Sequence, residues 1–183
     1  MIYNNRLTEL CNDCPYKEKR KVFGQGVITG KYVMIGECPG ATEEEKGIPF
    51  VGKAGQSLRK ALKEIGILDK CWFTNYVLCR PSNNNFKDEG MKKATRLCKI
   101  GLLSELTFLY NRGFTHAFLM GNNSCSAFGL KGISSIKGNL YTGLNNLKII
   151  PNYHPSYIIR NGGRGNAQMW EEWKNIFVKG IEY

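Results

Sequence analysis

Apolar residues along this chain fall into short runs separated by longer amphipathic stretches. Runs that suit buried strands lie at Lys31–Glu37, Cys71–Leu78, His116–Gly121 and Leu147–Tyr153. Between them, apolar positions recur at helical spacing near Ala54–Ile65, Met91–Tyr110 and Asn123–Leu130. Met169, Trp170, Trp173, Ile176 and Phe177 predict a last amphipathic helix. A short extra strand or hairpin is expected around Ile136–Gly143, and Asn83–Asn85 and Gly162–Gly165 read as surface loops. Strands alternating with helices predict an α/β fold, with a parallel sheet covered on both faces. With 183 residues the chain can bury a sizeable core, and one domain over 1–183 is expected.

Each expected strand ends in polar chemistry. Ile35 leads into Gly36-Glu37, Thr74 into Asn75, Met120 into Gly121-Asn122, and Tyr153 into His154-Pro155-Ser156. Parallel strands would gather these ends at one rim, where open α/β sheets hold ligands. The longest connection, Gly36–Gly55, reads as a loop dense in glycine, proline and glutamate. Within it, Gly47–Lys53 matches a phosphate-binding P-loop until Ala54, where that motif needs a Ser or Thr hydroxyl. Pro49 and Phe50 also remove or crowd backbone donors, so a nucleotide triphosphatase is set aside.

Composition adds a charge and a redox argument. The net charge is +11, a positive field suited to a polyanion. No apolar run approaches membrane length and no signal-peptide pattern is seen, so no membrane partner is expected. The 7 cysteines are an odd number, which points to metal ligation in a reducing, cytoplasmic compartment rather than to disulfides. Cys11-Asn-Asp-Cys14 lets two thiolates reach one centre, and spacing alone leaves zinc and an iron–sulfur cluster both open.

Gly36-Glu-Cys-Pro-Gly40, Gly47–Gly55, Thr74-Asn75, Cys79-Arg-Pro81 and His154–Arg160, in that order, resemble the family 4 uracil-DNA glycosylases, the iron–sulfur branch of their superfamily. The resemblance runs from Cys11 to the last helix. It implies a three-layer α/β/α sandwich around a four-stranded parallel sheet. It also implies a [4Fe–4S] cluster on Cys11, Cys14, Cys79 and Cys98, leaving Cys38, Cys71 and Cys125 as small apolar residues. The implied activity is hydrolysis of uracil from DNA, single- or double-stranded, by a monofunctional enzyme expected to be monomeric. The alternative is a non-enzymatic or covalently trapping uracil-DNA-binding protein. The trapping branch carries a histidine in a basic insertion, which Pro81–Lys93 lacks.

The resemblance further implies roles for the rim. Gly36, Cys38 and Gly40 belong to the substrate-binding motif. Phe50 is the platform on which uracil stacks, against a reading as a core phenylalanine. Asn75 reads the base edge, against a reading as a turn cap. His154 stabilises charge on uracil O2, and Glu37 positions water. Glu43 either crowds uracil C5 or is a solvated loop charge. Ser156, Ile158, Ile159 and Arg160 approach DNA with an apolar wedge and a phosphate contact, unless the isoleucines begin a buried helix.

Overall fold

The computed structural model describes residues 9–82 and 85–183, so Asn83 and Asn84 of the expected loop lie outside the described residues. Residues 9–12 are helical (α1). The elements that follow are β1 (Gln25–Gly26), β2 (Tyr32–Gly36), α2 (Ala41–Lys46), α3 (Lys53–Glu64), β3 (Cys71–Asn75), α4 (Met91–Tyr110) and β4 (His116–Met120). Then come α5 (Asn122–Ser126), α6 (Ile133–Ile136), β5 (Tyr141–Thr142), β6 (Lys148–Asn152), α7 (Pro155–Arg160) and α8 (Ala167–Glu182).

The sheet is six-stranded and mixed, in the order β1-β3-β2-β4-β6-β5. This corrects the expected four-stranded parallel sheet. β3, β2, β4 and β6 are parallel neighbours, and β1 and β5 close the two edges antiparallel. Each edge strand has only 2 residues, too few to show a period of two in sequence. β5 falls inside the stretch expected to hold an extra strand, whereas β1 had no sequence signal.

Side-chain alternation assigns the two faces. Val33 and Ile35 of β2, with Ala117 and Leu119 of β4 and Ile149 of β6, pack with Leu102, Leu106 and Leu109 of α4. Tyr32, Met34, Phe73, Phe118 and Ile150 point the other way, against Leu58 and Leu62 of α3 and Trp170, Trp173 and Phe177 of α8. Both faces are thus covered, which is why β2 and β4 are buried at every position. A buried carboxylate fixes α4 to the sheet: Glu105 accepts from Trp72 Nε1 at 2.7 Å and from Thr74 Oγ1 at 2.8 Å.

Three elements differ from expectation near the rim. The Gly36–Gly55 connection is not all loop, because Ala41–Lys46 forms α2 and ends on the left-handed Gly47. Good helix formers between glycines explain it. β3 stops at Asn75 rather than Leu78. The chain beyond still bonds its neighbour, Tyr76 N–H donating to Gly36 O at 2.9 Å and Val77 N–H to Glu37 O at 3.0 Å. α5 ends at Ser126, well short of Leu130.

Candidate active site and cysteine centre

The carboxyl ends of β2, β3 and β6 meet in a pocket of about 320 Å³, small among ligand pockets. Glu37, Cys38, Gly40, Glu43, Phe50, Asn75, His154, Ser156 and Arg160 line it, joined by Pro39, Ala54 and Gly55. Residues from β2, β3 and the β6–α7 junction are therefore brought together across more than half the chain.

Close approach at the pocket floor depends on two glycines. A Cβ on Gly36 would stand 2.3 Å from Asn75 Oδ1 and 2.7 Å from the Phe50 ring. A Cβ on Gly55 would stand 2.1 Å from the Phe50 carbonyl carbon. Only hydrogen at these positions lets the amide and the ring converge beside β2. Phe50 itself adopts φ 56, in the left-handed region that non-glycine residues rarely occupy. The residue is 6% exposed, and its ring lies 5.8 Å from that of Phe73 at an interplanar angle of 53°. Asn75 is 4% exposed, a nearly buried amide at a strand end.

Glu43 is not a solvated charge. Its Oε1 accepts from Val51 N–H at 2.9 Å and Gly52 N–H at 2.7 Å, which sets a carboxylate at the amino end of α3. The same bonds explain why the P-loop resemblance carries no phosphate chemistry: this protein's own carboxylate fills the place of the anion.

His154 caps α7, its Nδ1 accepting from Ser156 N–H at 3.2 Å with Ser156 Oγ 2.7 Å away. An accepting Nδ1 carries no proton, so the neutral ring carries it on Nε2. Burial, with the nearby Arg160 charge, holds the imidazole down at about 4, so it is neutral at physiological pH. Glu37 has its carboxyl pushed up by burial, partly offset by a hydrogen bond with the Asn123 side chain. The Cys38 thiol is pushed up to about 12 by burial and by the Glu37 charge, so it is no thiolate.

The α7 segment needs one correction. Ile158 is fully buried against the α3–α8 face of the core, so it is not available to touch DNA. The helix turns Tyr157 and Ile159 outward instead, each 37% exposed, with Tyr157 stacked on Tyr153 at 4.7 Å. Among residues that sequence reasoning missed, Asn123 meets Glu37 and Arg59 holds the Phe50 loop. Neither stands in a motif, so only the fold could reveal them. Asn122, the neighbouring strand-end amide, is occupied in structure: its Oδ1 accepts from Ile133 N–H at 3.0 Å.

A second cluster of chemistry lies away from the pocket. Cys11, Cys14 and Cys98 line one small apolar hollow with Leu10, Leu78 and Leu97. Cys79 is close enough to Cys11 and Cys14 to feel their charge, and Cys98 feels all three. Burial pushes the Cys79 thiol up to about 11 and the Cys98 thiol up to about 12, with Lys21 and Lys19 pulling Cys79 back. Tyr16 N–H donates to Cys14 Sγ at 3.5 Å, and Leu78 bonds to Cys98 through its backbone. Among the described residues no three His, Cys, Asp or Glu side chains are set to hold a single metal ion. A polynuclear centre spreads its ligands more widely than one ion does. The convergence of these thiols, with amide and lysine partners, fits such a group.

The fold and site define a class. A family profile described as the uracil DNA glycosylase superfamily matches residues 23–177, and the chain belongs to that superfamily. Curated relatives give the branch. The type-4 uracil-DNA glycosylase of Thermotoga maritima is 36% identical over 178 residues, covering 94% of this chain and 86% of the relative. That of Pyrobaculum aerophilum is 30% identical, covering 90% of this chain and 87% of the relative. A crystal structure of wild-type Pedobacter heparinus SMUG2 shares the fold, with a TM-score of 0.57 over 99% of both chains at 13% identity.

Proposed function

We propose that this protein removes uracil from DNA by hydrolysis of the N-glycosidic bond, leaving an abasic site. The observation that carries the reading is one pocket at the sheet rim lined by Glu37, Phe50, Asn75 and His154. Uracil stacked in DNA is out of reach, so the nucleotide must turn out into this pocket. The base stacks on Phe50. The Asn75 amide accepts from N3–H and donates to O4, whereas cytosine presents the opposite pattern and leaves both groups unpaired.

As the C1′–N1 bond breaks, its electron pair moves onto the uracil ring. The neutral His154, with its proton on Nε2, donates to O2, where that charge develops. Glu37 orients water toward C1′ and balances the cationic sugar, and burial makes its carboxylate a stronger base. Water adds its oxygen to C1′, and the proton it loses restores neutral uracil. No lysine lines the pocket among the described residues, so no amine stands ready to form a Schiff base with the abasic sugar. This supports a glycosylase that does not cut the strand itself.

Cys11, Cys14, Cys79 and Cys98 would hold the [4Fe–4S] cluster, which would supply a structural tie between α1 with the segment that follows it and the chain beyond β3. Both segments also meet α2: Arg20 NH1 donates to the Glu45 carbonyl, and Arg80 pairs with Glu44 at 3.4 Å. Incubation with a uracil-containing oligonucleotide, then alkaline cleavage, tests the activity. Scission only after alkali supports it; intact strands, or an adduct resisting denaturation, would replace it with a binding or trapping protein.

A further inference from the structure

Phe50 occupies the left-handed backbone region, where a non-glycine residue is strained. Arg59, on α3, faces it from outside the pocket. Its Nε donates to Phe50 O at 2.9 Å and its NH2 to Pro49 O at 3.2 Å, a fork onto two successive carbonyls. The guanidinium lies 4.0 Å over the Phe73 ring, and Phe73 in turn contacts the Phe50 ring. Arg59 therefore touches both the backbone and the ring support of the same residue.

The charge itself is informative. Arg59 is half-buried, and burial pulls its guanidinium below the ordinary arginine range. Among the described residues it forms no ion pair. A side chain needed only to fill space would be better served here by leucine or methionine, which incur no desolvation cost. Five donors in a rigid plane are what a pair of adjacent carbonyls requires. It is absent from the pocket lining, so it acts through Phe50 and not on the base.

We propose that Arg59 is a positioning residue for the base platform: it clamps the Pro49 and Phe50 carbonyls and so fixes the Phe50 ring at the depth and tilt that a flipped base needs. The inference rests on the reading of Phe50 as that platform. It predicts that losing the fork loosens the base rather than the fold.

The test compares Arg59→Leu, Arg59→Lys, Phe50→Ala and the Arg59→Leu/Phe50→Ala double variant as purified holoproteins. Single-turnover excision of uracil from an oligonucleotide, inhibition by free uracil, Tm and visible absorbance are measured for each. Arg59→Leu should lower excision by about tenfold or more and weaken inhibition by free uracil, since small misplacements in a site are costly. Arg59→Lys, which keeps charge but cannot fork, should fall between it and the parent. In the Phe50→Ala background, Arg59→Leu should add little further loss, because both changes remove one interaction. If Phe50→Ala is harmful while Arg59→Leu keeps parental excision and uracil inhibition, the clamp is wrong and the platform stands. Losses that multiply in the double variant also overturn the clamp. If Phe50→Ala has no effect, the platform reading fails and the clamp fails with it. If Arg59→Leu is unstable, Arg59→Lys decides: parental excision and inhibition in a stable protein overturn the proposal.

Discussion

The pocket and the cysteine centre are both built from residues distant in sequence, but they are held together in different ways. In the pocket, protein groups already satisfy one another. Glu43 is held by two amides, His154 by Ser156, Glu37 by Asn123, and the Phe50 backbone by Arg59. At the cysteine centre, burial raises the thiols of Cys11, Cys79 and Cys98, and neighbouring cysteines raise them further. The Lys21 and Lys19 charges favour the thiolates there, and a bound metal centre would favour them further. One region is held by the protein's own polar pairs, and the other gathers buried thiols, a donor type that suits metal ligation.

Substitutions should therefore separate along that line. The largest expected effect is in the pocket. His154→Ala should lower the excision rate by ~10²–10³-fold, as loss of a donor to developing charge does. Asn75→Asp should weaken uracil excision strongly, with any gain on cytosine relative and small. Both variants should keep parental circular dichroism and iron content. Full excision by both Asn75→Asp and Asn75→Ala would make Asn75 a turn cap.

The cysteine centre should respond the opposite way. Cys79→Ser should lose iron and the brown visible absorbance. Its Tm should fall by more than the roughly 2–4 °C that 1 kcal/mol represents in a chain of this size. Colourless parental protein holding stoichiometric zinc after anaerobic purification would show that the wrong group had been assigned.

A smaller effect belongs to the pocket mouth. Arg160→Ala should weaken binding to DNA about equally for all sequences and reduce the salt dependence by about one counterion. Binding that barely changes between low and moderate salt, in the parent itself, would contradict a nucleic-acid substrate.

The smallest concerns pH, where two histidines divide the pocket from the scaffold. Burial lowers His154 and also His116 to about 4, the latter with help from Lys148 and Lys31. Both pKa values lie below 6.5, so the unfolded chain binds more protons as pH falls from 6.5 toward 4. The histidine contribution to folding stability should therefore decline through that window and level off below it. His116, 6% exposed with Nε2 unpartnered among the described residues, lies at the start of β4. His116→Gln should flatten part of this pH slope in thermal melts and leave excision near parental; an unchanged slope would place the cause elsewhere.

The sequence by itself determined the parallel core strands, because each carries an apolar run long enough to cross a sheet buried on both faces. It also placed a polar residue at each strand end; those of β2, β3 and β6 share one pocket, whereas Asn122 after β4 bonds Ile133 instead. Cys11, Cys14, Cys79 and Cys98 could be grouped only by resemblance. Spacing along a chain does not say which thiols fold to one place. Other matters were decided by tertiary structure alone. The edge strands are 2 residues each and exist only because β3 and β6 present open edges. Ile158 and Ile159 are chemically equivalent in sequence, yet the rotation of α7 buries the first and exposes the second. Arg59 is one cation among 26 lysines and arginines until α3 turns it onto Phe50. Local pattern fixes what each segment can bury; which groups then meet depends on packing directions that no single segment carries.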